Sequence, residues 1–513
     1  MSTSSNRFKQ ALCVYPYRRE LNDAGFFPPL GLEFITALVQ RYADAIDMID
    51  LRREAGGVRD FILPETDLVC LSLNWDRDQE FLQSQIRAIP ENILTIVGGR
   101  HATENPQRWL EDFPNVDILV RGDGEEAMEE ILRGVPLGDI PGISFRKDGE
   151  IVHNENRILG ELADDLYPNR CLRRHKYVAT IKGASTGIRV DCISTSRGCP
   201  FACKFCSFNL NPWGEKRRWT GRSAESVVDE LSQMDAKLVG FTDDLFTRDM
   251  ERVERICDLL IERKIRKRYF VNARLEISKH PDVLEKMHRA GFSMLMLGIE
   301  SANDKTLKSM QKGFDTEKIA KHFEILRQSK MFLHGYFILG CIGESRDEML
   351  KIAPFAHELG VDTLALSTLR TEEHSALNDM VIENPGYHFS ASGKVYSDEL
   401  SIADIRKLRK TIYRQFYTPG QILRVGKKGL QNAALSFIPA ILPRTPMILA
   451  ALAKQSWKKS RRRARKRRER PIDRIARARP DRRPRAKVRP TRDSTRVSCK
   501  WLRSDPFLSA PRA

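Results

Sequence analysis

Two long series of short apolar runs, each followed by an amphipathic stretch, leave few folds open to this chain. In the first series Ala11–Tyr15, Ala45–Asp50, Leu68–Leu73, Leu94–Val97 and Asp117–Val120 read as strands. Leu30–Tyr42, Gln79–Ile89, Pro106–Asp112 and Glu125–Leu132 carry helical spacing between them. Strands and helices in alternation build an α/β domain, a doubly wound parallel sheet with helices on both faces. Ligands of such sheets sit beyond the carboxyl ends of the strands. The turns there hold Gly98, Gly99, Arg121, Gly122, Asp123 and Gly124.

The rhythm then breaks. Gly142–Phe145 and Ile151–Asn154 around Asp148-Gly149 predict a hairpin with a tight turn, and the polar run to Arg174 reads as a linker. From Val190 the alternation resumes, with strands predicted at Asp191–Ser196, Lys237–Thr242, Arg268–Ala273, Ser293–Gly298, Phe332–Gly340 and Thr363–Thr368. Helical patterns at Ala224–Met234, Met250–Lys264, Pro281–Ala290, Thr316–Ser329 and Arg346–Leu359 separate them. Six parallel strands with crossover helices make a partial (β/α)6 barrel, whose sites form at the strand carboxyl ends. Five segments follow: an α/β domain at 8–138, a hairpin and linker at 139–189, a partial barrel at 190–375, a helical region at 376–457 and a tail at 458–513.

Charge separates the tail from the rest. The formal net charge is +18, and residues 458–513 hold 23 Lys+Arg against 5 Asp+Glu, which leaves 63 residues of each sign in 1–457. The body is neutral, and the low-complexity Arg-rich tail is expected to be disordered. Positions 434–453 are apolar but interrupted by Pro439, Pro443, Arg444 and Pro446. No stretch reaches the about 18 apolar residues of a spanning helix, and the N-terminus lacks a signal-peptide core. Of the ten cysteines, Cys13, Cys70, Cys171, Cys192, Cys257, Cys341 and Cys499 stand singly, which suits buried thiols in a reducing compartment. A cytoplasmic location is expected.

The other three cysteines are grouped. Arg197-Gly198-Cys199-Pro200-Phe201-Ala202-Cys203-Lys204-Phe205-Cys206 places thiols at i, i+4 and i+7 just after the first barrel strand. Thiolates are the ligands of Fe–S clusters, about four per cube, so three leave one iron free. Zinc is the rival, but a structural zinc site wants four ligands, usually from two Cys-x-x-Cys pairs. Only one such pair is present, with His175 and Cys192 as the nearest spare ligands. A chance cluster of buried thiols is the third reading.

The C-x3-C-x2-C spacing, with an aromatic residue before the last cysteine, resembles the radical S-adenosylmethionine (radical SAM) superfamily over about residues 190–370. The resemblance implies that Cys199, Cys203 and Cys206 hold a 4Fe–4S cluster whose free iron chelates S-adenosylmethionine. Cleavage of that sulfonium yields a 5′-deoxyadenosyl radical. Matching segments stand in the family's order: Phe241-Thr242-Asp243-Asp244, Asn272-Ala273-Arg274, Gly298-Ile299-Glu300-Ser301, and Gly335 to Glu344. They imply that Asp243, Arg274, Glu300 and Ser301 position S-adenosylmethionine, with Gly340 and Gly343 nearer the adenine. Lys305–Lys312 reads as a surface helix.

The first domain lacks a G-x-G-x-x-G after its first strand, which disfavours a dinucleotide. Pro28-Pro29-Leu30-Gly31-Leu32, Val97-Gly98-Gly99-Arg100-His101-Ala102 and Val120-Arg121-Gly122-Asp123-Gly124-Glu125 resemble the cobalamin-binding-type domain that precedes many radical enzymes. That implies cobalamin at Gly98, Gly99 and Gly122, where the absence of a Cβ admits close backbone approach. Two departures stand out. The D-x-H-x-x-G segment that supplies an axial histidine is absent, so His101 is not assigned as a ligand, and Asp123 stands where relatives often carry Glu. The methylthiotransferases that share the barrel carry a second cysteine trio, whereas only Cys13 and Cys70 occur here.

The layout resembles lipid-modifying members such as hopanoid C-3 methylases. The expected function is a cobalamin-dependent methyl transfer to an unactivated carbon of a hydrophobic, hopanoid-like lipid, with a flavodoxin- or ferredoxin-type electron donor. The alternatives are a radical cyclase or oxidoreductase on a tetrapyrrole or polyketide and, in a different class, an RNA-binding protein with a structural metal cluster. For the C-terminus the readings are a tail without a partner, peripheral contact with the anionic inner face of the membrane, and nucleic acid, which the lack of regular aromatic interleaving disfavours.

Overall fold

The computed structural model describes residues 7–18, 27–431, 437–447 and 449, apart from positions 77, 182, 373 and 391. The basic tail 458–513 and part of the apolar stretch before it lie outside the described residues. Each apolar run of the first series forms a strand: β1 (Phe8–Tyr15), β2 (Ala43–Asp50), β3 (Thr66–Ser72), β4 (Leu94–Gly98) and β5 (Ile118–Val120). All are parallel, in the order β2-β1-β3-β4-β5. β3 is buried along Leu68, Val69, Cys70 and Leu71, as a strand covered on both faces must be.

The hairpin forms where expected, as β6 (Ile143–Lys147) and β7 (Glu150–His153). Rather than standing apart with the linker, it extends the first sheet. β6 pairs antiparallel with β5, Ile143 opposite Val120 and Phe145 opposite Ile118. β5 is only three residues long, and the hairpin covers its otherwise open edge while burying Ile143 and Phe145.

Buried charge holds the polar run that follows. Arg173 pairs with Glu33 of the first helix (2.6 Å) and with Asp191 (2.8 Å), and Arg170 pairs with Asp191 (3.1 Å) and Glu230 (2.6 Å). Glu33, Asp191 and Glu230 are buried, and ions so placed need partners. The run is therefore a clasp between the helix Leu30–Val39 and the start of the barrel.

The second series builds β8 (Val178–Ile181), β9 (Ala184–Ile193), β10 (Ser196–Arg197), β11 (Thr220–Gly221), β12 (Leu238–Phe241), β13 (Arg268–Ala273), β14 (Phe292–Glu300), β15 (Phe332–Leu339) and β16 (Thr363–Thr368). The sheet order is β16-β15-β14-β13-β12-β9-β8. β9 and β12 to β16 are parallel and β8 is antiparallel at the edge, which is the partial barrel of the sequence reading. One face is sealed: Leu295, Leu297 and Ile299 of β14 share a core with Val253, Ile256 and Leu260 and with Val283, Leu284 and Met287 from two covering helices. The i, i+3, i+7 spacing of the first trio and the i, i+1, i+4 spacing of the second are each the apolar stripe of a surface helix. The other face carries half-buried Phe270, Asn272, Met294, Met296, His334 and Tyr336.

Helix Ile402–Phe416 packs Ile405, Leu408, Ile412 and Phe416 into the same core. Beside it the hydroxyls of Tyr413 and Tyr417 accept from the N–H groups of Leu366 and Leu364, each at 3.1 Å. The free edge of β16 is capped in this way. Among the described residues, no helix is long and apolar enough to cross a membrane.

Candidate functional site

β10 and β11 pair antiparallel, Ser196 opposite Gly221 and Arg197 opposite Thr220. This two-rung ribbon pinches the base of an irregular loop that carries all three grouped cysteines. Inside the loop the Cys206 N–H donates to the Cys203 carbonyl (3.1 Å) and the Lys204 N–H to the Met310 carbonyl (3.1 Å). Ser375 donates to the Lys204 carbonyl at 2.9 Å. The loop is thus fixed from both ends and from the barrel.

All three thiols are free, Cys203 buried and the other two half-buried. Burial pushes the Cys199 thiol up, and it pushes Cys206 up to about 12, with the neighbouring thiols adding to the effect. Ionising one sulfur opposes ionising the next, a conflict that a polycationic cluster removes. The Arg274 guanidinium lies 4.0 Å from the Cys203 sulfur and stacks 3.6 Å from the Phe201 ring centroid. Among the described residues no group of three or more His, Cys, Asp or Glu converges as around one ion. A cube offers each thiolate its own iron, so its ligands need not meet at a point. The donor set fits a 4Fe–4S cluster.

The strand ends around this loop hold the other expected residues. Asp243 is fully buried, and its carboxylate accepts from the Thr195 N–H (2.7 Å), the Thr195 hydroxyl and the Ser196 hydroxyl (2.7 Å). Both of its oxygens are therefore spent on bracing the entry to the cysteine loop. Asp244, which the sequence reading passed over, accepts from the Gly198 N–H at 2.8 Å and bears electrostatically on Cys199 and Cys206. Burial raises its carboxyl to about 6. A second acidic residue beside a strong motif was the only signal for it.

Glu300 ends β14 with a φ of 73°, a left-handed conformation that costs a non-glycine residue free energy. Its carboxylate meets Lys312 at 2.9 Å, both side chains largely buried. A Cβ on Gly298 would stand 2.5 Å from that carboxylate and 2.8 Å from the Lys312 ammonium, so glycine there is what lets the pair lie across the strand. The expected surface helix is corrected here: it stops at Ser309, and Lys312 is only 6% exposed. Positive φ at Gln311 and Gly313 turns the chain inward. Ser301 is buried and donates to Glu344 at 2.7 Å. Gly340 and Gly343 both take positive φ, and the Gly343 N–H donates to the Tyr387 hydroxyl at 2.7 Å.

The carboxyl ends of the first sheet open into a cavity of about 380 Å³. Its floor includes Gly98, Gly99, Gly122 and Gly124, and its roof comes from the cysteine loop and its surroundings, through Ser207, Phe208, Leu210, Arg217 and Asp244. Gly99 has φ 105°, and a Cβ there would stand 2.5 Å from the Leu73 carbonyl oxygen. Gly122 has φ 81°, its N–H donates to Thr103 at 3.1 Å, and Trp213 lies 3.4 Å from where its Cβ would be. All three predicted glycines meet at one cavity, and a floor of exposed backbone fits the close approach of a cobalamin tail. His101 faces Gln79 (2.8 Å) and Glu104 (3.0 Å) instead. Cys13 and Cys70, distant in sequence, are partners in adjacent strands, and Cys70 reaches the cavity.

Ion pairs lock floor to roof. Asp123 binds Arg197 at 3.1 Å and Arg217 at 2.5 Å, while Glu125 binds Arg197 at 2.5 Å. Burial alone would raise Asp123, but Arg197 and then Arg217 hold its carboxyl below the usual range. Arg100 reaches the Ser207 hydroxyl (3.0 Å) and pairs with Glu372.

The radical SAM superfamily model matches residues 193–356, and the B12-binding domain model matches residues 21–132. The chain is a radical SAM enzyme with a B12-binding domain. A 4Fe–4S cluster, S-adenosylmethionine and cobalamin are the cofactors that these two domains call for. An uncharacterized methyltransferase of Pyrococcus horikoshii is 26% identical over 420 residues, covering 77% of this enzyme and 89% of that protein. The hopanoid C-3 methylase of Methylococcus capsulatus is 25% identical over 315 residues, 58% of either chain. The radical S-adenosylmethionine methyltransferase TsrM from Kitasatospora setae shares the fold, with a TM-score of 0.62 at 16% identity, over 80% of this enzyme and 90% of that chain.

Proposed function

We propose that this enzyme is a cobalamin-dependent C-methyltransferase acting on an unactivated carbon of a hydrophobic, hopanoid-like lipid. The observation that carries the reading is the shared wall: the loop bearing Cys199, Cys203 and Cys206 is also the roof of the glycine-floored cavity. Bound in these places, the cluster with S-adenosylmethionine supplies hydrogen abstraction from a carbon that no side-chain base can deprotonate, and cobalamin supplies a methyl group.

The chain's own part is positioning. Cys199, Cys203 and Cys206 hold the cluster, Arg274 places a cation beside Cys203, and Asp244 orders the Gly198 turn. The Glu300–Lys312 pair and Ser301 stand at the end of β14, as S-adenosylmethionine contacts. Gly98, Gly99 and Gly122 take cobalamin, and Gly340 and Gly343 lie nearer the adenine. The open barrel face favours an apolar substrate, because Phe270, Met294 and Met296 line it and Asn272 already donates to the Asp243 carbonyl at 3.1 Å. Its polar members are already engaged: His334 with Thr363 at 2.7 Å, and Tyr336 with the Met296 sulfur at 3.4 Å. The hopanoid methylase relative supports the lipid class. A flavodoxin- or ferredoxin-type donor and a station at the inner membrane face belong to the same reading.

The test is anaerobic reconstitution with a reductant, followed by iron, cobalamin and product analysis, and by comparison of lipid extracts from cells with and without the gene. Methylated lipid with S-adenosylhomocysteine and 5′-deoxyadenosine is the expected result. Zinc in place of iron would overturn the radical reading. 5′-Deoxyadenosine without S-adenosylhomocysteine would replace methyl transfer by cyclisation or oxidation.

A further inference from the structure

The helix Pro419–Gln431 is amphipathic the wrong way round. Gln421 is buried, and its side-chain amide donates to the Val361 (3.0 Å) and Asp362 (2.8 Å) carbonyls. Arg424 reaches the same Val361 carbonyl, and Lys428 pairs with Asp362 at 2.7 Å. These residues, at i, i+3 and i+7, form one stripe of the helix. Its polar stripe therefore faces the protein. The opposite face shows Ile422 (59% exposed), Leu423 (75%) and Leu430 (59%), with Lys427 exposed among them. Leu442 (66%), Met447 (48%) and Leu449 (59%) are exposed too, after the short helix Ile438–Ile441, which packs on β9. A surface helix ordinarily turns its apolar residues to the core and its charges to water, and a contiguous exposed apolar surface rimmed by charge marks an interaction site.

Charge identifies the partner. On the preceding helix, Ile402–Phe416, the residues Arg406, Lys407, Lys410 and Arg414 are all exposed and share one face. After the apolar surface come the 23 basic residues of positions 458–513. A second copy of the chain would bring these cations against their like, which opposes association. The chain's own tail carries the same sign of charge as Lys427 and these helix cations, which opposes its docking there. We infer that Ile422, Leu423 and Leu430 form a docking surface for an anionic lipid bilayer. Apolar side chains enter the interface, and flanking cations are drawn to anionic headgroups. Because no described helix can cross a membrane, the enzyme lies on the bilayer. This contact stands whether or not the substrate is a lipid.

The experiment uses the full chain and co-sedimentation with phosphatidylcholine vesicles, with and without phosphatidylglycerol. Wild type should bind the anionic vesicles at least about 10-fold more tightly than neutral ones, and less tightly as salt rises. Ile422→Ser, Leu423→Ser and Leu430→Ser together should weaken binding about 10-fold or more, with far-UV circular dichroism unchanged. Amides of 419–431 should exchange more slowly on vesicles. The proposal fails if wild type ignores anionic vesicles, or if the triple variant binds them as wild type does, which leaves the tail as the sole contact. It also fails if the triple substitution turns a dimer into a monomer while vesicle binding stays the same.

Discussion

Asp123, in the turn after β5, and Arg217, on the far side of the cysteine loop, are joined by a 2.5 Å ion pair. One carboxylate of the B12-binding domain thereby fixes the loop that carries Cys199, Cys203 and Cys206, and Arg197 reinforces it from the other flank at 3.1 Å. The cysteine loop and the glycine-floored cavity share a wall because three residues, 94 positions apart at the widest, pair across it.

Asp123→Asn leaves Arg217 without its carboxylate partner and Arg197 with Glu125 alone. The pair is half-buried, so urea unfolding should register a loss of about 2 kcal/mol, below the cost of breaking a fully buried pair. A double-mutant cycle with Arg217→Met should return a coupling above about 1 kcal/mol. A coupling near zero would mean that the latch does not hold.

The two glycines that end β4 should respond differently to alanine. Gly99→Ala forces a side chain into a φ of 105° with its Cβ 2.5 Å from a carbonyl oxygen, costing about 2 kcal/mol or more. On Gly98 a Cβ meets only Val120, at 3.7 Å. Gly98→Ala should therefore keep the wild-type unfolding midpoint while lowering cobalamin affinity, as measured by titration of the reconstituted protein.

Replacing Cys199, Cys203 or Cys206 by alanine should abolish the about four irons bound per chain after anaerobic reconstitution. Cys192→Ala and Cys341→Ala, which alter thiols buried elsewhere, should keep the full iron content. Retention of iron by a triplet variant would move the cluster to other ligands.

Glu344 sets a pH dependence of stability. Burial raises its carboxyl to about 7 from 4.5, although Ser301 and the backbone oppose the shift, and one of its oxygens is buried without a partner. The folded state holds the proton more tightly, so the stabilisation is fully present below about pH 4.5 and lost as pH rises through about 7. The loss amounts to about 3 kcal/mol. In Glu344→Gln the urea midpoint should change less between these pH values than in wild type. Equal slopes would remove Glu344 as the cause.

By itself the sequence determined the local and periodic features. Alternating apolar runs specify strands and helices because burial on both faces of a parallel sheet leaves no other pattern, and each predicted strand overlaps one that formed, although β9 begins at Ala184, seven residues before the expected Asp191. The spacing Cys199, Cys203, Cys206 was legible because its ligands are neighbours in the chain. Only the tertiary structure decided which charges meet. Glu33 and Arg173 are 140 residues apart, and no periodicity links them. Lys312 turned inward to Glu300, and Asp244 rather than Asp243 faced the thiols. Buried ions find partners through space, at a cost in desolvation that only a specific pairing offsets. The folded chain therefore chose these residues, and with them the wall between the cysteine loop and the glycine-floored cavity.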